Sequence, residues 1–208
     1  MSVTLIIIIF TCIISIQAFN RMDIFEKLKH HPYTESRNKE YYRWLTSGFL
    51  HADYIHLGIN MFVLWQFGGV VEKVYQAQFG SSMGMFLYLI MYLTSIVFSD
   101  LPTFRKHKDN PQYAAIGASG AVSAVVFTFI LYYPWATMSL YGIIPFRAII
   151  GGVAYLIYEQ WASKNSQDNV GHDAHFAGAI YGMMFAVLLR PSVYNDFVDE
   201  IMYNSPYW

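Results

Sequence analysis

Charge is scarce in this sequence. Of its 208 residues only 13% are charged, against about a quarter in an ordinary soluble domain. Lys and Arg number 13 and Asp and Glu 14, so the formal net charge is -1. That balance provides no positive field for a phosphate backbone, which excludes nucleic acid as a partner, and it leaves no acidic tail. The single cysteine, Cys12, excludes an intramolecular disulfide and a metal site built on a cluster of thiolates. Repeats, low-complexity tracts and linkers are missing too. Nothing therefore divides the chain, and residues 1–208 are read as one membrane domain.

What fills the chain instead is apolar: 55% of residues are hydrophobic and 18% aromatic. A membrane-crossing helix needs roughly 20 mainly apolar residues. Six segments approach this: Val3 to Phe19, Ile55 to Tyr75, Met83 to Phe98, Ala118 to Tyr133, Met138 to Trp161 and Ala174 to Leu189. The expected fold is an all-α bundle of six transmembrane helices, the shorter ones packed against protein on most sides. Val3 to Phe19 also has the apolar centre of a signal peptide, with Ala18 at a cleavage position. Met1 to Thr4 carries no Lys or Arg, so it is read as a transmembrane helix.

The most polar stretch is the loop 20–47, where six cations from Arg21 to Arg43 alternate with Phe25, Tyr33, Tyr41, Tyr42 and Trp44. Aromatic rings among cations suit the headgroup layer, and Ile24, Phe25 and Leu28 predict one face of a short amphipathic helix. The remaining polar connections, Asp100 to Gln112 and Ser163 to Asp173, are short.

Polar side chains within the apolar segments are few, and such groups are costly in lipid and tend to be functional. Ser119 lies in Ile116-Gly117-Ala118-Ser119-Gly120-Ala121. Ala174, Gly178, Gly182 and Ala186 form a ridge of small residues on the last segment, and Gly117, Gly120 and Ala124 form a matching surface on the fourth. Packing those surfaces together brings His175 beside Ser119. A serine hydroxyl becomes a nucleophile once a base takes its proton, and histidine is the usual base. His56 and Asn60, four apart on one helix face, are either donors for a developing oxyanion or a polar pair fastening two helices. Glu72 reads as a structural hydrogen-bond acceptor, and Asp173 as the N-cap of the last helix. No carboxylate stands out as a partner for His175. His51, His56, His172 and His175 raise the thought of a metal enzyme. His51 and His56 are five apart, however, off the i,i+4 pairing of a helical site, and neither metal nor cofactor is expected.

These residues resemble the rhomboid family of intramembrane serine proteases. The resemblance runs from Tyr42 to about Ala186. It is carried by Tyr42-Arg43, by His51 with His56 and Asn60, by Gly68-Gly69 with Glu72, by Gly117-Ala118-Ser119-Gly120, and by Ala174-His175 with Gly178 and Gly182. It implies a six-helix bundle with a Ser119–His175 dyad lacking a third member, and an oxyanion hole lined by His56 and Asn60. Arg43, His51, Glu72, Gly117, Gly120, Gly178 and Gly182 are the implied supports. The implied partners are the lipid bilayer and membrane proteins cut in or near a transmembrane segment, and the implied setting is a bacterial cytoplasmic membrane. The alternative is a non-catalytic membrane-protein binder or chaperone of the same fold. Two positions depart from the pattern: Tyr42 stands where Trp is common, and Ser123 where some members place a tyrosine beneath the base.

Orientation pits two rules against each other. Ten cations, including Lys27, Arg43, Lys106 and Lys164, lie on one side, and only Lys73, Arg147 and Arg190 on the other. The positive-inside rule puts the larger set in the cytoplasm. The resemblance puts those loops and the mouth of the site outside, and we follow it because a folded interfacial loop distorts charge counting.

Overall fold

The structure is a computed structural model that describes residues 2–140, 143–166 and 170–206. Helix α1 (Val3–Phe19) presents an inverted pattern: Thr4, Thr11 and Ser15 face inward, while Leu5, Ile6, Ile9, Phe10, Ile13 and Ile16 are exposed. That is the arrangement expected where the surrounding solvent is hydrocarbon and polar groups find partners only inside. Ser15 Oγ donates to the Phe49 carbonyl at 2.8 Å and contacts His51 Nδ1 at 2.9 Å.

The loop 20–47 folds into α2 (Met22–Leu28), α3 (Pro32–Asn38) and α4 (Arg43–Thr46), followed by a 3-10 turn over Ser47–Phe49. The predicted amphipathic segment is α2. Then come α5 (Tyr54–Phe79), opened by the Asp53 carboxylate accepting the His56 N–H at 2.7 Å, and α6 (Ser81–His107). α7 (Ser119–Tyr132) starts at the serine. Among the described residues, α5 and α6 are long and apolar enough to cross a membrane, and α1 and α7 are shorter apolar helices.

The segment read as helical from Met138 to Trp161 is corrected. Its first part is a β-hairpin, β1 (Thr137–Leu140) paired antiparallel with β2 (Ile144–Arg147), and only the remainder is helix α8 (Ala148–Asn165). Pro145 has no N–H to give a helix but fits a two-stranded ribbon, where it faces Ser139. Residues 141 and 142 of that segment, and 167–169 of the predicted connection from Ser163 to Asp173, lie outside the described residues. α9 (His172–Leu189) ends before Pro191, and the chain turns through 114° into α10 (Ser192–Tyr203). The apolar-run criterion passed over α10 because Asp196, Asp199 and Glu200 break its hydropathy.

Glu72, in the C-terminal half of α5, closes the start of α1. Its carboxylate accepts from the Val3 and Thr4 amides at 2.9 and 3.0 Å and from the Ser2 and Thr4 hydroxyls at 2.7 and 2.8 Å. The first amides of a helix have no partner within it, and a negative charge there complements the helix dipole. Glu72→Leu is expected to cost about 3 kcal/mol, because these buried donors lose their acceptor together. Thermal unfolding in detergent measures this; an unchanged transition contradicts it.

Between α7 and α9 the approach is backbone on backbone. A methyl group at Gly178 would fall on the Gly120 carbonyl, and one at Gly182 on the Ala124 carbonyl. This contact sets the distance between the helix carrying Ser119 and the helix carrying His175.

Candidate active site

Ser119 is the first residue of α7, and the chain leading into it is clamped by the first loop. His30 and Ala115 exchange backbone hydrogen bonds at 3.0 and 2.9 Å, and the Gly117 N–H donates to the Ser47 carbonyl at 3.1 Å. Gly117 has φ +125°, a conformation that side chains disfavour, and a β-carbon there would press on the His56 ring. The first loop is itself tied together. Arg43 is buried and donates to Glu40 at 2.7 Å and to the carbonyls of Glu26 and Lys29 at 2.7 and 3.1 Å, holding the end of α2. Glu35, fully buried, contacts His30 Nδ1 at 2.8 Å and accepts from the Trp44 indole at 2.7 Å. Sequence reasoning did not single out His30 or Glu35.

His175 lies one turn into α9, and its Nε2 is 2.7 Å from Ser119 Oγ. The other ring nitrogen, Nδ1, is 3.1 Å from Glu159 Oε1 of α8. The second oxygen of that carboxylate meets His172 Nδ1 at 2.5 Å. A carboxylate only accepts, so Nδ1 of His175 carries the hydrogen and Nε2 presents its lone pair to the serine hydroxyl. The expectation that no carboxylate stands behind this histidine is therefore corrected. Glu159 is a lone charge in the apolar run 148–162 and is 2% exposed. Reading the helix from Met138 obscured where α8 begins, and only its packing on α9 turns Glu159 toward the imidazole.

Asp173 is corrected as well. The N-cap of α9 is Gly171, and Asp173 sits in the first turn, where it accepts from Ser163 of α8 and from Lys106 of α6 at 2.9 Å. It thus ties three helices together instead of capping one.

Ser123 cannot stack on an imidazole, and the ring comes from elsewhere. Tyr155 of α8 lies 6.5 Å from the His175 ring at an interplanar angle of 24°, and its hydroxyl is 3.1 Å from Ser123 Oγ. The aromatic partner is thus supplied by α8, with Ser123 holding its hydroxyl. Tyr155 and Glu159 are four residues apart on one helix face, the spacing that would have exposed the pair in the sequence.

Across the serine, the Ala52 N–H donates to His56 Nδ1 at 3.4 Å, which leaves Nε2 of that ring as the donor on the Gly117 side. Asn60 is buried and gives one amide hydrogen to the His56 carbonyl at 2.9 Å. His51 packs edge-on to His56 with centroids 5.0 Å apart, and burial pushes its imidazole down to about 3, so it stays neutral. His51 and His56 thus belong to one side of the serine and His172 and His175 to the other.

Among the described residues, Glu159, His172 and His175 place three potential metal-ligating atoms within 4.8 Å of one another. The 2.5 Å separation between His172 Nδ1 and Glu159 Oε2 is that of a direct hydrogen bond. Two ligands on one tetrahedral zinc stand about 3.3 Å apart, given bonds of ~2.0–2.1 Å. The cluster as it stands is therefore a hydrogen-bonded one.

Comparison with known proteins places the chain in a family. Residues 38–192 match the family described as Rhomboid domain. The chain is similar to the RHOMBOID-like protein 12, mitochondrial, of Arabidopsis thaliana, at 29% identity over 142 residues, covering 65% of this chain and 42% of the relative. It is similar to Rhomboid protease GluP of Bacillus subtilis (strain 168), at 27% over 154 residues, covering 72% and 26%. It is also similar to Rhomboid protease GlpG of Yersinia pestis (strain Pestoides F), at 28% over 163 residues, covering 74% and 50%. The chain thus spans between a quarter and a half of the length of these curated relatives. Because a plant mitochondrial protein stands among them, the expectation of a bacterial cytoplasmic membrane is not supported. What the family and the apolar helices establish is an integral membrane protein.

Proposed function

Because the chain belongs to the rhomboid family, we propose that it is a serine endopeptidase that cuts membrane proteins in or near their transmembrane segments. The observation that carries this reading is the 2.7 Å contact between His175 Nε2 and Ser119 Oγ. In the proposed arrangement a single membrane domain crosses the bilayer with α1, α5, α6, α7, α8 and α9, and the loop 20–47 lies at the interface. The curated relatives GluP and GlpG carry the name rhomboid protease, which supports the same activity here.

Ser119 Oγ attacks the carbonyl carbon of the scissile peptide while its proton passes to His175 Nε2. The carbonyl oxygen becomes an oxyanion beside the Ser119 N–H, the His56 Nε2–H and the second Asn60 amide hydrogen. Preorganised donors of this kind are worth ~10²-fold or more in rate each. Collapse of the tetrahedral intermediate breaks the C–N bond, and the leaving amine takes the proton from His175. Water, deprotonated by His175, then hydrolyses the Ser119 ester and restores the serine. Every proton in the cycle is handled by His175. α7 begins at the serine, so an unwound strand meets first-turn amides that have no partner within the helix.

A fluorophosphonate probe tests the nucleophile directly. Wild type in detergent is expected to label covalently, Ser119→Ala not at all, and His175→Ala at least ~10²-fold more slowly. Equal labelling of wild type and Ser119→Ala overturns the reading, and an unlabelled wild type that still holds membrane-protein clients points to a non-catalytic binder.

A further inference from the structure

The Ser119–His175 pair leaves one buried charge unexplained. Glu159 sits in α8, where the exposed residues Ile150, Val153, Ile157 and Trp161 form an apolar face, and its own carboxylate points inward at 2% exposure. A carboxylate in such surroundings is costly unless its bonds are satisfied. Here both oxygens meet imidazole nitrogens, Oε1 that of His175 at 3.1 Å and Oε2 that of His172 at 2.5 Å.

We infer that Glu159 is the positioning carboxylate of His175, so that the site is a Glu159–His175–Ser119 relay of orientation instead of a dyad. This rests on the protease reading above. The carboxylate acts through the imidazole in two ways. In the resting state it holds the Nδ1–H tautomer, the one whose Nε2 lone pair faces the serine. When His175 takes the Ser119 proton, the resulting imidazolium stands beside a negative charge in a poorly polarisable interior, where such a pairing is far stronger than in water. The proton stays on the imidazole, and Glu159 remains ionised throughout. His172 occupies the second oxygen and so fixes the rotation of the carboxylate, while Tyr155 limits the tilt of the His175 ring. Three residues of α8 and α9 thereby supply the orientation of the imidazole.

The other titratable groups around this imidazole are His56 of α5, Tyr155 of α8 and His172 of α9, with the Lys106–Asp173 ion pair joining α6 to α9 nearby. The group that accepts from His175 Nδ1 is Glu159. The test is steady-state cleavage of a model transmembrane substrate by wild type, Ser119→Ala, Glu159→Gln and Glu159→Asp in detergent, with the thermal transition of each. Glu159→Gln is expected to lower kcat by roughly 10²–10⁴-fold with KM little changed and the protein still folded at the assay temperature. Glu159→Asp keeps the charge and should recover part of kcat. Glu159→Asp no better than Glu159→Gln, or a loss of rate matched by a loss of folded protein, overturns the inference. A wild-type rate in Glu159→Gln overturns it equally. If wild type itself shows no Ser119-dependent cleavage, the protease reading fails first, and that is a separate outcome.

Discussion

Replacing Ser119 by Ala is expected to remove cleavage of a transmembrane substrate entirely within detection, and His175→Ala to lower kcat by roughly 10⁴-fold. In the proposed mechanism the two residues form one proton-transfer unit across their 2.7 Å contact, so the double variant should be no worse than the serine variant alone. The proposed oxyanion donors act on a different part of the reaction. His56→Ala or Asn60→Ala should cost ~10²-fold each, in kcat more than in KM, because the charge they face exists only once attack has begun. The measurement is a time course of product formation from a purified substrate in detergent, with each variant checked for an unchanged thermal transition. Residual cleavage by Ser119→Ala above about 1% of wild type would contradict the assignment, because without the nucleophile only the oxyanion hole and binding remain, worth roughly 10³–10⁴-fold over water.

The second large effect concerns distance, not chemistry. Gly178→Val is expected to destabilise the protein by about 3 kcal/mol or more, and Gly182→Val by a similar amount. Overpacking usually costs less than this in a core where side chains give way. Here the atoms in the way are the carbonyls of Gly120 and Ala124, which belong to the α7 backbone and cannot rotate aside. The helices must separate, and Ser119 moves away from His175. Activity should therefore fall even in the fraction of protein that remains folded. Gly69→Ala is the control: a β-carbon there meets nothing within 4 Å, and helix propensity favours alanine by ~1 kcal/mol. Thermal unfolding in detergent separates the two classes. If Gly178→Val melts with wild type, the close approach of α7 and α9 is not what holds the site together.

Legibility in the sequence followed the length scale of the forces involved. Apolar runs are local, and they located α1, α5, α6, α7 and α9 to within a few residues at most ends, because burying a helix in lipid depends on composition along one segment. α6 is the exception, since it continues to His107, well past the apolar run ending at Phe98. The small-residue ridges on the fourth and last segments were legible for a related reason: close approach of two backbones demands Gly and Ala at fixed spacing on each helix separately. Where two local signals competed, the reading failed. Residues 138–147 are apolar enough for a span, but Pro145 and the pairing of Thr137 with Arg147 make a hairpin, and strand pairing is a contact between segments.

Local sequence was enough to read a helical membrane protein, the candidate pair Ser119 and His175, and the glycines that allow their helices to touch. What stands behind the histidine depends on how α8 packs on α9. Glu159 and Tyr155 come from α8, and Asp173 ties α9 to α8 and α6 instead of capping its own helix. A buried carboxylate is stable only where another segment brings donors to it, so its role is defined by a partner that no stretch of sequence around it contains.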